Sequence, residues 1–159
     1  MIAISDRDII MSVIREVPDY AKQNVGFTCS SFDLLHAGHI LMLEECKRYC
    51  KFLCVGLQTD PTIDRPDKNK PIQSILERYL QLDAIEHVDC IYPYDTEADL
   101  LKLLKIIRPQ IRFVGEDWRE KDFTGKEITD IRIHYNKRYG YSTSELRTRV
   151  AESAWEAAQ

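Results

Sequence analysis

Apolar positions along the chain follow two spacings, and together they predict strands that alternate with helices. Residues 52–57 form a nearly continuous apolar run, which is typical of a strand covered on both faces. Between such runs, apolar side chains recur three and four positions apart, the period of an amphipathic helix. The predicted strands are 24–29, 52–57, 88–92, 111–114 and 131–134, and the predicted helices are 6–17, 38–49, 74–85, 97–107 and one opened by Ser142.

This alternation predicts an α/β fold. Strands that alternate with helices of about ten residues form βαβ units with right-handed crossovers, and these build a parallel sheet with helices on both faces. We expect one Rossmann-like domain of about five strands at residues 21–159, preceded by an N-terminal helical extension at residues 1–20. Ligands of such sheets collect at the carboxyl ends of the strands, near helix N-termini.

Composition and charge narrow the classes of function. The 159 residues suffice for one domain with one core. The 26 acidic and 22 basic residues give a net charge of −4, which argues against a protein that coats nucleic acid. No apolar run approaches the roughly 20 residues that cross a bilayer, and the first residues lack the pattern of a signal peptide. We therefore expect a cytoplasmic protein without a nucleic-acid or membrane partner.

The cysteines favour packing over metal binding. Five cysteines, an odd number, fit a reducing compartment better than a disulfide framework. Cys46, Cys50 and Cys54 are four residues apart, a spacing that allows a metal site, but no histidine lies among them and their neighbours are apolar. We expect them to pack as small hydrophobic side chains, with a metal or redox role as the weaker alternative.

The strongest candidate site directly follows the first predicted strand. Residues 30–39 place two histidines three positions apart, His36 and His39, at the start of a predicted helix, and Gly38 between them lets a ligand approach the backbone. Free N–H groups at a helix N-terminus favour an anion, and two imidazoles add donors. A lone histidine would more often satisfy a core carbonyl, whereas this paired pattern favours phosphate binding.

Residues 31–39, which read S-F-D-L-L-H-A-G-H, resemble the T-F-D-L-L-H-x-G-H signature of glycerol-3-phosphate cytidylyltransferases, within the H-x-G-H nucleotidyltransferase superfamily. Three later segments resemble the same family in the same order: 71–89 its E-x-R helix and V-D-E strand entry, 114–118 its G-D-D-W, and 141–144 its I-S-T-T. The H-x-G-H alone is shared with adenylyltransferases and class I aminoacyl-tRNA synthetases. The four segments together are more specific.

The resemblance implies transfer of CMP from CTP to a small phosphomonoester, with release of pyrophosphate and with Mg²⁺ bound through the phosphates of CTP. Glycerol 3-phosphate is the first acceptor. Phosphoethanolamine, phosphocholine or another small phosphate or phosphonate are the alternatives, because the chain lacks the acceptor-loop tryptophan of the glycerol-3-phosphate enzymes and has Leu100 in place of their lysine. Members of the family are commonly homodimers, so we expect a homodimer. An adenylyltransferase of the same superfamily and a non-catalytic nucleotide-binding subunit are the alternatives.

The resemblance also assigns catalytic roles to histidine and cationic residues. They are His36, His39, Lys68, Lys70 and Arg138. Spacing does not choose between the two lysines, and either could be a solvated charge on a loop. One residue is missing before the last motif relative to the family, so Lys137 is the alternative to Arg138; a planar guanidinium, which binds phosphate bidentately, favours the arginine.

A further set is implied to bind the nucleotide: Ser30, Ser31, Phe32, Gly38, Arg78, Gly115, Asp117, Trp118, Tyr141, Ser142, Thr143 and Ser144. Without the resemblance, Arg78 would be expected to face water; for Trp118, a packing role is an equal alternative to nucleotide binding. The Ser-Thr-Ser cluster would cap the last helix, a role compatible with phosphate binding. The loop after the third strand supplies the acceptor-binding candidates Tyr94, Asp95 and Thr96.

Overall fold

The computed structural model describes residues 15–159, apart from the side chain of Tyr20. The helix predicted at 6–17 lies outside the described residues except for residues 15–17, which are not helical. No helix among residues 15–159 is long and apolar enough to cross a membrane.

Within this part of the chain, every predicted strand and helix is present, with ends shifted by at most two residues. The strands are β1 (Val25–Ser30), β2 (Phe52–Gln58), β3 (Cys90–Tyr94), β4 (Ile111–Gly115) and β5 (Arg132–Asn136). The helices are α1 (Ala37–Tyr49), α2 (Ile75–Asp83), α3 (Glu97–Ile107) and α4 (Thr143–Ala157). Short 3₁₀ turns occur at Asp19–Ala21, Pro61–Ile63 and Glu116–Trp118.

The five strands form one parallel sheet in the order β3-β2-β1-β4-β5. β1 is central: it pairs with β2 through Val25 and Phe52, and with β4 through Gly26 and Ile111. The chain first builds the sheet outward from β1 to β3 and then returns to add β4 on the other side. A ligand crevice is expected at this switch point, outside the carboxyl ends of β1 and β4.

Hydrophobic side chains pack on both faces of the sheet, as the continuous apolar pattern of β2 predicts. One cluster includes Leu43 of α1 and Leu82 of α2, and the other includes Leu100 and Leu104 of α3. The packing role predicted for the cysteines is confirmed, because all three are buried and unbridged. No group of three or more potential metal ligands was found among residues 15–159.

Each of the four helices begins at a residue whose side chain accepts a backbone N–H of the first turn. These N-cap residues are His36, Ser74, Thr96 and Ser142. Such caps each stabilise a helix by about 1 kcal/mol, and they satisfy donors that the helix itself leaves unpaired. Two of the capped ends, those of α1 and α4, meet at the candidate site.

Candidate active site

A cavity of about 590 Å³ opens at the carboxyl ends of the strands, at the switch between β1 and β4. Its lining comes from strand ends, from the loops that follow them, and from the first turns of α4. The predicted site residues that line it are Ser30, Ser31, Lys68, Tyr94, Gly115, Trp118, Thr143 and Ser144. The cavity therefore lies where the fold class predicts a ligand.

The two predicted catalytic histidines are not on the lining of this cavity; they are stacked, with ring centroids 3.9 Å apart, next to Thr143, which is on it. Nδ1 of His36 accepts the N–H of Gly38 at 3.1 Å, and Nδ1 of His39 accepts the N–H of His36 at 3.3 Å. Because each Nδ1 is an acceptor, each neutral ring carries its proton on Nε2. Nε2 of His36 lies 3.2 Å from Oγ1 of Thr143, which joins the N-termini of α1 and α4.

Both rings are held in the neutral form. Burial lowers the pKa of His39 to about 4, and the adjacent His36 contributes to the shift. Burial also lowers the pKa of His36, assisted by the positive charge of Arg149. Nε2 of His39 makes no hydrogen bond with any described residue, so this N–H remains available to a ligand. The pair can donate to a phosphate oxygen without carrying a net charge.

Gly38 and Phe32 support the histidine pair through close packing. A Cβ on Gly38 would lie 2.9 Å from both Cε1 of His36 and Cβ of Tyr141, so a larger residue would push the motif and the α4 loop apart. Phe32 is buried at a positive φ of 47°, and its ring centroid lies 5.3 Å from that of His39. Gly38 and Phe32 therefore both pack against the histidine rings.

An ion pair that was not predicted from the sequence ties three segments together at the cavity. Nη2 of Arg147 donates to Oδ2 of Asp33 at 2.7 Å and to the carbonyl of Lys70 at 3.2 Å. Asp33 also accepts the N–H groups of Ile72 and Gln73. Burial raises the pKa of Asp33, but these hydrogen bonds and the guanidinium outweigh it and hold the pKa below its usual value.

Two patterns in the sequence could have identified this pair. Asp33 lies within the histidine motif itself, and Arg147 follows Thr143 and Ser144 at helical spacing, on the same face of α4. Asp33 and Arg147 both line the cavity.

The predicted cations differ in where the structure places them. Lys68 lines the cavity, whereas the exposed Lys70 side chain does not and reaches the site only through its carbonyl. Lys137 and Arg138 are both exposed outside the cavity lining. Their loop is held against α1, because Glu45 accepts the N–H of Lys137. Contacts between these cations and phosphate remain predictions. Lys68 is the best placed for such a contact, because it is the one of the four on the cavity lining.

Arg78 is buried, with only 2% of its surface exposed, in contrast to the solvent-facing position that its helix alone would suggest. Its guanidinium donates to backbone carbonyls at the ends of β1 and β2 and at the start of α2. The acceptors are the carbonyls of Ser31, Gln58, Thr59, Gln73 and Ser74. Arg78 thus holds the cavity wall together, and direct nucleotide contact by its remaining donor stays a prediction.

At the end of β4, the predicted motif residues are split between the cavity and the solvent. Gly115 and Trp118 line the cavity, whereas Asp117 is exposed. Asp117 folds back over Gly115, since a Cβ on that glycine would lie 2.7 Å from Oδ1 of Asp117. A side chain at position 115 would displace this carboxylate.

At the start of α4, the expected cap is confirmed, because Oγ of Ser142 accepts the N–H of Glu145 at 3.1 Å. Thr143 and Ser144 line the cavity, and Tyr141 is exposed.

The predicted acceptor loop is anchored by its own polar side chains. Tyr94 is buried and lines the cavity, and burial raises the pKa of its hydroxyl. Asp95 accepts a hydrogen bond from Oγ1 of Thr59 at 2.6 Å. Oγ1 of Thr96 accepts the N–H of Asp99 as the N-cap of α3. Of the three candidates, Tyr94 is the one on the lining.

Five further lining residues, none of them among the predicted site residues, form a polar network on the α3 side of the cavity. They are Gln58, Arg65, Glu97, Arg112 and Thr124. Arg65 Nη2 donates to Oε1 of Gln58 at 2.6 Å and forms an ion pair with Glu97 at 3.0 Å. Oγ1 of Thr124 donates to Glu97 at 2.5 Å, and the Thr124 carbonyl accepts from Arg112. We call these five residues the α3-side network.

Together, the fold and the site define an α/β domain in which paired histidines and two helix N-termini meet at the carboxyl ends of the strands. Residues 27–149 match the family model described as cytidylyltransferase-like. The chain belongs to this family and is of the nucleotidyltransferase class. The family resemblance and the fold class inferred from the sequence are both confirmed.

Curated relatives share about a third of the aligned residues with this chain. The bifunctional protein HldE of Helicobacter pylori is 32% identical over 136 residues, which cover 85% of this chain and 29% of the relative. The protein of the same name from Helicobacter hepaticus is 30% identical over 143 residues, covering 89% and 30%. The chain therefore spans less than a third of the length of these relatives.

Solved structures confirm the fold at lower sequence identity. The lipopolysaccharide core biosynthesis protein from Thermoplasma volcanium superimposes with a TM-score of 0.58 at 22% identity, covering 75% of this chain and 98% of that one. Pantoate-beta-alanine ligase from Francisella tularensis, complexed with beta-gamma ATP and beta-alanine, gives a TM-score of 0.56 at 17% identity, covering 89% and 68%.

Proposed function

We propose that this chain transfers a nucleoside monophosphate from a nucleoside triphosphate to the phosphate of a small acceptor and releases pyrophosphate. The observation that carries the proposal is the stacked pair of neutral histidines at the N-terminus of α1, joined through His36 and Thr143 to the N-terminus of α4. Two helix N-termini and an unpaired imidazole N–H are suited to a chain of phosphates. They lie beside a cavity large enough for small ligands.

In the proposed reaction, an oxygen of the acceptor phosphate attacks the α-phosphorus in line. The bond from that phosphorus to the oxygen bridging to the β-phosphate breaks, and pyrophosphate leaves. A phosphomonoester is an adequate nucleophile near neutral pH, so no general base is required. His39, Lys68 and Arg147 would stabilise the charge that develops on the phosphates, and catalysis would rest on positioning and electrostatics.

The residues present fit a magnesium ion that enters with the nucleotide. No cluster of three potential metal ligands was found in residues 15–159, and the groups proposed to meet the phosphates, on His39, Lys68 and Arg147, are N–H donors. Such donors suit phosphate oxygens, while Mg²⁺ prefers oxygen ligands such as those of the triphosphate itself. When bound, the ion would neutralise part of the charge of the leaving pyrophosphate.

Within this proposal, ATP is the first donor to consider. The relatives described above are named bifunctional protein HldE, and neither name refers to CTP or glycerol 3-phosphate. A structure with the same fold is complexed with an ATP compound. Leu100, where the glycerol-3-phosphate enzymes have lysine, is a buried residue of the lining here. CTP is the second candidate, favoured by the description of the family model and by the four motif segments.

Pyrophosphate release by the purified full chain tests this function. ATP and CTP are each offered with a panel of phosphomonoesters that includes glycerol 3-phosphate, a sugar phosphate, phosphoethanolamine and phosphocholine. We expect release that requires both substrates and is faster with ATP. Calorimetric nucleotide binding without release under any condition would overturn the proposal in favour of a non-catalytic subunit. The expected homodimer stays a prediction, which sedimentation velocity checks.

A further inference from the structure

The α3-side network lies on the face of the sheet opposite to α1. Gln58 follows Phe52 and Cys54 at even spacing along β2, and those two residues pack in the same cluster as Leu104 of α3. Because alternate residues of a strand share a face, Gln58 points to the α3 side. The histidine pair, in contrast, belongs to α1 and packs near Phe32, a member of the other cluster. The proposed nucleotidyl transfer leaves the network without a role.

Three buried nitrogen atoms of this network lack a hydrogen-bond partner in the described part of the chain. They are Nε2 of Gln58, Nε of Arg65 and Nε of Arg112. Gln58 and Arg112 are only 2% and 4% exposed. Buried donors are nearly always satisfied in native proteins, so three unpaired donors on the lining of one cavity call for ligand oxygens. A ligand would thus complete the network.

The charge of the network indicates which ligands fit. Two arginines face one carboxylate, that of Glu97, and Glu97 is already paired with Arg65 and Thr124. Arg112 forms no ion pair with a carboxylate among residues 15–159; its guanidinium contacts the Thr124 carbonyl, the face of Phe123 and the Cys29 thiol. A positively charged ligand would meet like charge here and leave all three donors unpaired, which is how a site rejects a wrong partner.

We propose that the α3-side network is the acceptor subsite, and that it selects phosphomonoesters whose organic part is rich in accepting oxygens, as hydroxyl or carboxylate groups. Phosphomonoesters that carry an amine or a quaternary ammonium group are rejected. This inference rests on the proposed nucleotidyl transfer and names the acceptor class for it. The network shares one cavity lining with Lys68, Thr143 and Arg147. An acceptor held by Arg65 and Arg112 would therefore present its phosphate towards Thr143 and Arg147.

Acceptor kinetics of the full chain test the subsite. With saturating nucleotide, kcat/KM is measured for glycerol 3-phosphate, a sugar phosphate and 3-phosphoglycerate, and compared with phosphoethanolamine and phosphocholine. At least one oxygen-rich acceptor is expected to exceed both amines by about tenfold or more, the effect of losing one charged hydrogen bond. Comparison of 3-phosphoglycerate with the two polyol phosphates separates carboxylate from hydroxyl recognition.

Two variants test whether the α3-side network determines the selectivity for the acceptor. Arg112→Met and Arg65→Met are expected to raise the acceptor KM by roughly 10- to 100-fold while leaving the calorimetric Kd for the nucleotide unchanged. Arg132→Met, at an exposed arginine of β5, is the matched control and should change neither quantity. Arg65 is partly exposed, so its variant decides the question if the buried Arg112 variant does not fold.

The possible outcomes separate this inference from the proposed function. Equal or better turnover with phosphoethanolamine or phosphocholine overturns the subsite. It is also overturned if the acceptor KM is unchanged in the variants, or if acceptor KM and nucleotide Kd rise together. Each of these results requires turnover and leaves nucleotidyl transfer standing. Absence of pyrophosphate release with every acceptor overturns the proposed function and the subsite with it.

Discussion

At the level of single residues, the orientation of the histidine pair is set by backbone groups. Nδ1 of His39 is occupied by the N–H of His36, so chemistry must use Nε2. His39→Ala removes this donor, and loss of one such donor typically costs about 10²–10³ in rate. We expect kcat to fall by that factor with the circular-dichroism spectrum unchanged. His87→Ala, at a histidine in the loop between α2 and β3, is the control; near-wild-type turnover by His39→Ala would refute the role of the pair.

His36 has two tasks that substitution can separate. Its Nδ1 caps α1 through the N–H of Gly38, and its Nε2 contacts Thr143. Asparagine retains a capping oxygen but lacks the distal nitrogen, whereas alanine retains neither. We therefore expect both His36→Asn and His36→Ala to lose turnover, and only the alanine variant to lose about 1 kcal/mol of unfolding free energy. Urea denaturation and initial rates provide the readouts, and full activity of His36→Asn would contradict the assignment.

The low pKa of His39 predicts a pH-dependent stability. With its pKa at about 4 in the folded state and 6.5 when unperturbed, the ring is neutral when folded but protonated when unfolded between these values. The unfolded state binds more protons there, so the free energy of unfolding falls as the pH drops from 7 to 4, by up to about 3 kcal/mol. Urea denaturation across this range should show a shallower decline for His39→Gln than for the wild type. Identical slopes would contradict the prediction.

At the level of elements, Arg78 joins α2 to the ends of β1 and β2. Its carbonyl contacts predict that Arg78→Lys, which cannot reproduce the planar set of donors, loses about 2–4 kcal/mol of unfolding free energy. The Kd for the nucleotide should change by less than the stability does. Denaturation and calorimetry on the same variant check this. Intact stability with lost nucleotide binding would instead support the direct contact inferred from the sequence.

The pair of Asp33 and Arg147 connects the histidine motif, the lysine loop and α4. Arg147→Met frees the Lys70 carbonyl and leaves the buried carboxylate of Asp33 without its cation. We expect the Kd for the nucleotide to rise by about tenfold, because α4 and the loop of Lys68 lose a shared attachment. Calorimetry measures it. Arg132→Met, at an exposed arginine of β5, is the comparison, and equal effects of the two variants would contradict the account.

The elements themselves could be predicted because their periodicity is local. The start of the third strand is an exception. The sequence pattern predicts that this strand begins at residue 88, whereas in the structure it begins at Cys90. Asp89 instead uses its carboxylate to accept the N–H of Leu53 and pairs with Lys47. Such long-range use of a side chain leaves no periodic signal in the sequence.

At the level of the whole molecule, a net charge of −4 coexists with a cation-rich cavity. The histidine motif and the helix caps were predictable because they are contiguous. Which cations reach the cavity was not, because Arg65, Arg112 and Arg147 come from separate elements and meet only after the sheet is assembled. The sequence could therefore predict a kind of ligand, whereas the structure shows which residues line the candidate cavity.

The most direct test of nucleotidyl transfer is ³¹P NMR of the wild-type protein with ATP, Mg²⁺ and an oxygen-rich phosphomonoester, followed over time. The account predicts two new species in equal amounts: pyrophosphate, and a diphosphate that joins AMP to the acceptor. His39→Ala should form neither at a comparable rate. Appearance of ADP with inorganic phosphate, or of pyrophosphate without the linked product, would contradict nucleotidyl transfer by this site.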